Sequence, residues 1–127
     1  PVSIPPSYLE EERLRVRLYR RLSRVRTPEE AAALEEELTD RFGKAPHEVM
    51  LLLGGARLRA LGWGTGERFR IGPHRMEAWL LPGLSLDPPK GWLREKDVWV
   101  GPGGLEGVAS LCSFFEENRR PGEPLQV

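Results

Sequence analysis

The chain has one cysteine, Cys112, so no internal disulfide can form and a reducing compartment is the expectation. Histidine is nearly as scarce. His47 and His74 share no metal-ligand spacing with Cys112, and both read as exposed polar residues. Only three of the 19 basic residues are lysines (44, 90 and 96), a bias that a GC-rich genome produces without functional cause. Neither sign of charge is in surplus: 19 basic residues face 19 acidic ones, which removes any bulk attraction to nucleic acid or to a membrane. The longest purely apolar run, Val49–Leu53, is far short of a membrane span. Pro1-Val2-Ser3 lacks the basic and apolar regions of a signal peptide, which points to the cytoplasm. The opening at proline instead of methionine fits an excised piece of a longer protein.

Catalytic motifs are missing too. The one Gly-Lys pair, Gly43-Lys44, is followed by Ala45 and has no glycine four residues before it, so no phosphate-wrapping loop is predicted. Gly62-Trp63-Gly64-Thr65-Gly66 imitates a dinucleotide turn, but Glu67 stands where its third glycine would be and a helix precedes it. A flexible turn is the better reading. There is no Gly-x-Ser-x-Gly elbow, and Cys112 lies on an apolar helix face. The expectation is a chain with no catalytic residue, no metal and no cofactor of its own.

What the chain does have is helical periodicity in its first half. A length of 127 residues fits one domain with a real core, and 39% apolar against 30% charged residues is ordinary for a globular protein. Residues 1–9, with Ile4-Pro5-Pro6, read as an extended lead-in. Residues 10–62 form a helical half. Its first helix runs from about Glu10 to Arg24 on the stripe Leu14, Leu18, Leu22 and Val25. Thr27-Pro28-Glu29-Glu30 starts a second helix with a capping box, and Gly43 ends it. Pro46 opens a third helix that turns Val49, Leu52, Leu53 and Ala56 inward and reaches about Gly62. Gly54-Gly55 costs it roughly 1–2 kcal/mol of helix propensity, so a break or a close backbone approach is expected there.

Residues 63–120 read as a strand-rich half. Most of the 14 glycines and 12 prolines lie in this part of the chain, after Gly54. Arg68–Ile71, Met76–Leu81 and Asp97–Val100 are the predicted strands, Leu84–Trp92 a loop, and Leu105–Asn118 a last helix. That helix shares Leu105, Val108, Leu111, Cys112 and Phe115 on one face, and residues 121–127 are a tail expected to fray. The fold class is α+β: three helices, a small, mainly antiparallel sheet, and a C-terminal helix.

Charge is unevenly divided. Residues 1–26 carry a balance of +4 and residues 27–48 one of −5. Arg13, Arg17, Arg20, Arg21 and Arg24 fall at helical spacing, so contact with DNA phosphates through the first helix is one reading. Pairing with the acidic second helix is the plainer one. Glu37 and Asp40, three apart before Gly43, lie on one side of that helix, with Arg41 beside them. They fit either a solvated, paired face or a protein-docking patch.

Ile4-Pro5-Pro6-Ser7-Tyr8, Arg13-Leu14, Leu18-Tyr19-Arg20-Arg21-Leu22, Glu36-Glu37-Leu38-Thr39-Asp40-Arg41-Phe42-Gly43 and Ala56-Arg57-Leu58 occur in order. From Ile4 to about Gly62 the sequence resembles the C-terminal domain of bacterial transcription-repair coupling factors, the Mfd family. That family is an ATP-dependent DNA translocase of nucleotide excision repair; it displaces stalled RNA polymerase and recruits UvrA. The resemblance implies a domain without a motor, monomeric when isolated, with ATP and Mg confined to the parent's motor domains. It also implies an autoinhibitory clamp on the parent's UvrB-like N-terminal module, where Glu37, Asp40 and the adjacent Arg41 would dock on arginines outside this chain.

Overall fold

The computed structural model describes residues 2–62, 66–83 and 86–118. Trp63–Thr65 of the glycine turn, Leu84 and Ser85 of the loop, and the tail lie outside the described residues. The element order is α1 (Glu12–Ser23), α2 (Pro28–Phe42), α3 (His47–Leu61), β1 (Gly66–Ile71), β2 (Arg75–Leu80), β3 (Leu93–Glu95), β4 (Val98–Pro102) and α4 (Gly104–Glu117). The chain divides into two compact units, Pro1–Ala60 and Leu61–Val127.

The helical unit is organised by the stripes seen in the sequence. Leu18 and Leu22 of α1, Leu34 and Leu38 of α2, and Val49, Leu53 and Ala56 of α3 form one buried cluster, joined by Ile4 and Leu9. Leu14, Val25, Phe42 and Leu52 pack at its margin. The lead-in is more than extended chain: Tyr8 and Leu9 donate their N–H groups to the Pro5 carbonyl, forming a turn that drops Leu9 into the core. The Tyr8 hydroxyl then donates a shared hydrogen bond to the carbonyls of Gly43 (2.9 Å), the residue that ends α2, and Leu38 (3.3 Å), tying the lead-in to the end of that helix. At the other end of α2 the Thr27 hydroxyl accepts from Glu30 N–H at 3.1 Å. The Glu30 carboxylate reaches back to Arg26 N–H at 3.3 Å, one residue beyond the expected box. No break occurs at Gly54-Gly55, where α3 runs continuously. Burial of Val49, Leu53 and Ala56 outweighs the propensity cost.

The sheet unit is a four-stranded antiparallel sheet in the order β1-β2-β4-β3. Alternation along β2 sends Met76, Ala78 and Leu80 to one face. On that side α4 lies against β1, β2 and β4 with Val108, Leu111, Cys112 and Phe115 buried. Phe69 of β1 meets Phe115 edge-on, with ring centroids 6.2 Å apart. β3 is the strand the sequence reading missed. Close approach of α4 to β4 depends on Gly107, where a Cβ would collide with the Pro102 carbonyl oxygen. Gly107→Ala is therefore expected to destabilise the sheet unit by about 1–3 kcal/mol, despite alanine's better helix propensity, in urea melts followed by tryptophan fluorescence.

Candidate docking site on the second helix

The residues singled out for docking occupy the last two turns of α2. Leu34 and Leu38 are buried on its core side, which fixes the helix rotation and leaves Glu37, Asp40 and Arg41 toward solvent. Glu37 is not a free carboxylate. Arg21 of α1 grips it with both guanidinium nitrogens: Nη1 donates to Oε2, and Nη2 donates to Oε1 at 3.1 Å. Arg41 stands 3.8 Å from the same Oε2. The Glu37 side chain is still 39% exposed, so a third cation can reach it. Asp40 is exposed and has no ion-pair partner among the described residues.

The hydrogen bond from Arg21 is the main reason the Glu37 carboxyl is held below its ordinary value, with the charges of Arg21 and Arg41 adding to it. Arg21 is raised by the same bond, in agreement. A lowered folded-state value means the pair contributes stability above the ordinary carboxyl range and loses it as pH falls through the folded value. Glu37→Gln is expected to flatten the acid limb of a melting-temperature profile below about pH 4.5, the reference value for a free glutamate. An unchanged limb in that profile would show that the pair does not persist in solution.

The arginines proposed for DNA contact meet different fates. Arg21 is taken by Glu37, and Arg13 lies 3.0 Å from Glu11. Arg17, Arg20 and Arg24 are exposed and have no carboxylate partner among the described residues. Arg15, not singled out, donates to the carbonyls of Leu9 (2.7 Å) and Glu10 (2.8 Å) and ties α1 to the lead-in. Arg59, also overlooked, donates to the Leu22 carbonyl at 3.4 Å. The three-to-four spacing and the opposite charge of α1 and α2 were readable beforehand; which arginine reached which carboxylate depended on how the helices paired. Among the described residues no cluster of His, Cys, Asp and Glu is arranged to hold a metal, and no helix is long and apolar enough to cross a membrane.

The TRCF domain family matches residues 1–66, just over half of the chain and all of the helical unit that carries this site. The chain belongs to the TRCF domain family. Curated relatives agree. The transcription-repair-coupling factor of Myxococcus xanthus is 41% identical over 97 residues, 71% of this chain and 8% of that protein. That of Mycobacterium tuberculosis (strain CDC 1551 / Oshkosh) is 44% identical over 63 residues, 50% of this chain and 5% of that protein. The Bacillus subtilis protein is 36% identical over 56 residues. This TRCF domain thus spans under a tenth of the length of the relatives it matches. A solved C-terminal domain of transcription-repair coupling factor has the same α+β fold, with a TM-score of 0.68 over 91% of this chain and 84% of that one. At 18% identity that likeness speaks for the fold alone.

Proposed function

We propose that the chain is a non-catalytic, autoinhibitory domain of a cytoplasmic ATP-dependent DNA translocase that couples transcription to nucleotide excision repair. In this reading it docks through Glu37, Asp40 and Arg41 on the UvrB-like N-terminal module of its parent. Docking masks the surface that recruits UvrA and restrains the motor until RNA polymerase or DNA favours the open state. ATP and Mg belong to the parent's motor domains, and this chain supplies no cofactor site.

The observation that carries the reading is the family match over the helical unit, together with two carboxylates on the solvent side of α2. A latch must open, so a modest, charged contact suits it better than an apolar one. Opening needs a ligand that binds the undocked form more tightly, because equal affinity for both forms shifts nothing. The two acids should not contribute equally. A docking arginine meets Asp40 unopposed, whereas at Glu37 it competes with Arg21.

Glu37→Ala combined with Asp40→Ala in the parent protein is expected to raise UvrA binding and ATPase activity while this domain stays folded. Unchanged UvrA affinity in a folded double variant would remove the latch role.

A further inference from the structure

Exposed charged residues beside the Arg21–Glu37 pair on α1 and α2 fall at one shared set of intervals. Arg13, Arg17, Arg20 and Arg24 stand at i, i+4, i+7 and i+11, a single stripe of a helix. Glu29, Ala33, Glu36 and Asp40 repeat those intervals on α2. All seven charged members are exposed, and the core is reached instead by Leu18, Leu22, Leu34 and Leu38.

The two stripes border one seam, the Arg21–Glu37 pair. A shallow groove along it brings Arg21 and Arg24 of the α1 side together with Ala33 and Glu37 of α2. A second gathers Arg17 and Arg21 with Glu37 and Arg41. Residue numbers fall on α2 as they rise on α1, so the helices are antiparallel. One face of the helical unit thus carries a positive band and a negative band side by side.

We infer that this face binds a second copy of the chain about a twofold axis running along the seam. Rotation about that axis lays each α1 over the other copy's α2, positive over negative, and does so twice. Such a contact is isologous and closes at two copies. Because Arg21 is level with Glu37, the rotation brings Arg17 to the level of Asp40 and sets Arg20 and Arg24 on either side of Glu36. Nucleic acid suits the face less well: a phosphate backbone along the arginines would run beside Glu36 and Asp40 across the seam. Val16, 42% exposed near the centre of α1, adds a small apolar contact.

Exposed ion pairs each contribute little, so the pairing is weak and sensitive to salt. It replaces the monomer expected from the sequence only at high concentration and low ionic strength. The inference does not rest on the docking reading. It does make the two contacts mutually exclusive, since both use Asp40.

The test is sedimentation equilibrium of the 127-residue chain. Self-association at low salt is expected to weaken at least about tenfold as ionic strength rises from about 0.01 M to 0.15 M. Arg17→Glu with Arg20→Glu and Arg24→Glu makes both bands negative, whereas Glu29→Arg with Glu36→Arg and Asp40→Arg makes both positive. Each variant alone should be monomeric, an equimolar mixture should form a one-to-one heterodimer, and all six changes in one chain should restore the homodimer. If reversal unfolds either chain, the neutral pair Arg20→Gln and Glu36→Gln should each weaken association several-fold. A wild-type chain that stays monomeric at low salt overturns the inference, as does a dimer indifferent to these changes. So does a monomer that binds duplex DNA through the α1 arginines.

Discussion

Replacing Trp99 with alanine is expected to remove about 3–5 kcal/mol from the sheet unit, the largest loss anticipated for any single change in it. Trp99 sits on β4, is fully buried, and presents its ring edge-on to Phe114 of α4 at a centroid distance of 5.5 Å. Truncation would leave a cavity under the helix that close-packed neighbours can fill only in part. Trp99→Phe is the informative companion. The indole Nε1 is buried without a hydrogen-bond partner among the described residues, which costs roughly 1–3 kcal/mol of desolvation. Phenylalanine removes that donor and keeps an aromatic contact, so its net loss should be far smaller than that of alanine. Chemical denaturation of both variants checks the pair. Similar losses for the two would show that the indole nitrogen is satisfied in solution.

Leu38→Ala is the second large effect, about 2–5 kcal/mol in the helical unit. Leu38 is 3% exposed, lies next to Glu37 in sequence, and accepts the Tyr8 hydroxyl at its carbonyl. The same side chain that fills the core therefore fixes the orientation of the docking acids. Loss of stability should come with loss of order at Glu37 and Asp40. Amide exchange across residues 34–42 is expected to quicken more than exchange in the sheet unit. Uniform protection in both units would mean that Leu38 does not hold this helix in place.

These two sites also mark what could be read from sequence and what could not. Leu18, Leu22, Leu34 and Leu38 recur at helical period, and Thr27 and Gly43 bracket α2, so the helical unit was legible almost residue by residue. Local rules suffice there because each helix buries one stripe. β3 was not legible. Leu93-Arg94-Glu95 is three residues long, exposed throughout, and has no alternating burial to betray a strand. Its hairpin to β4 turns through Lys96 at φ 59°, a left-handed position where glycine or asparagine is the usual signal. Strand order was equally hidden, since pairing β2 with β4 and leaving β3 outside is a long-range choice.

At the candidate site the residue types were visible and their commitments were not. The opposite charge of the first two helices suggested mutual pairing, and Arg21 does pair with Glu37. Which of five arginines would do so depends on the antiparallel packing of α1 and α2, information that no single helix carries. Asp40, three residues on, escapes the pairing because it faces further from α1. The difference between these two carboxylates is what the docking proposal turns on.

The most direct measurement is a calorimetric titration of the 127-residue chain into the UvrB-like N-terminal module of its parent. Saturable one-to-one binding is predicted, weakened about tenfold or more by Asp40→Ala and less by Glu37→Ala, in keeping with the loss of an exposed and a shared charge pair. No heat of binding, or an affinity that neither change alters, would contradict the account.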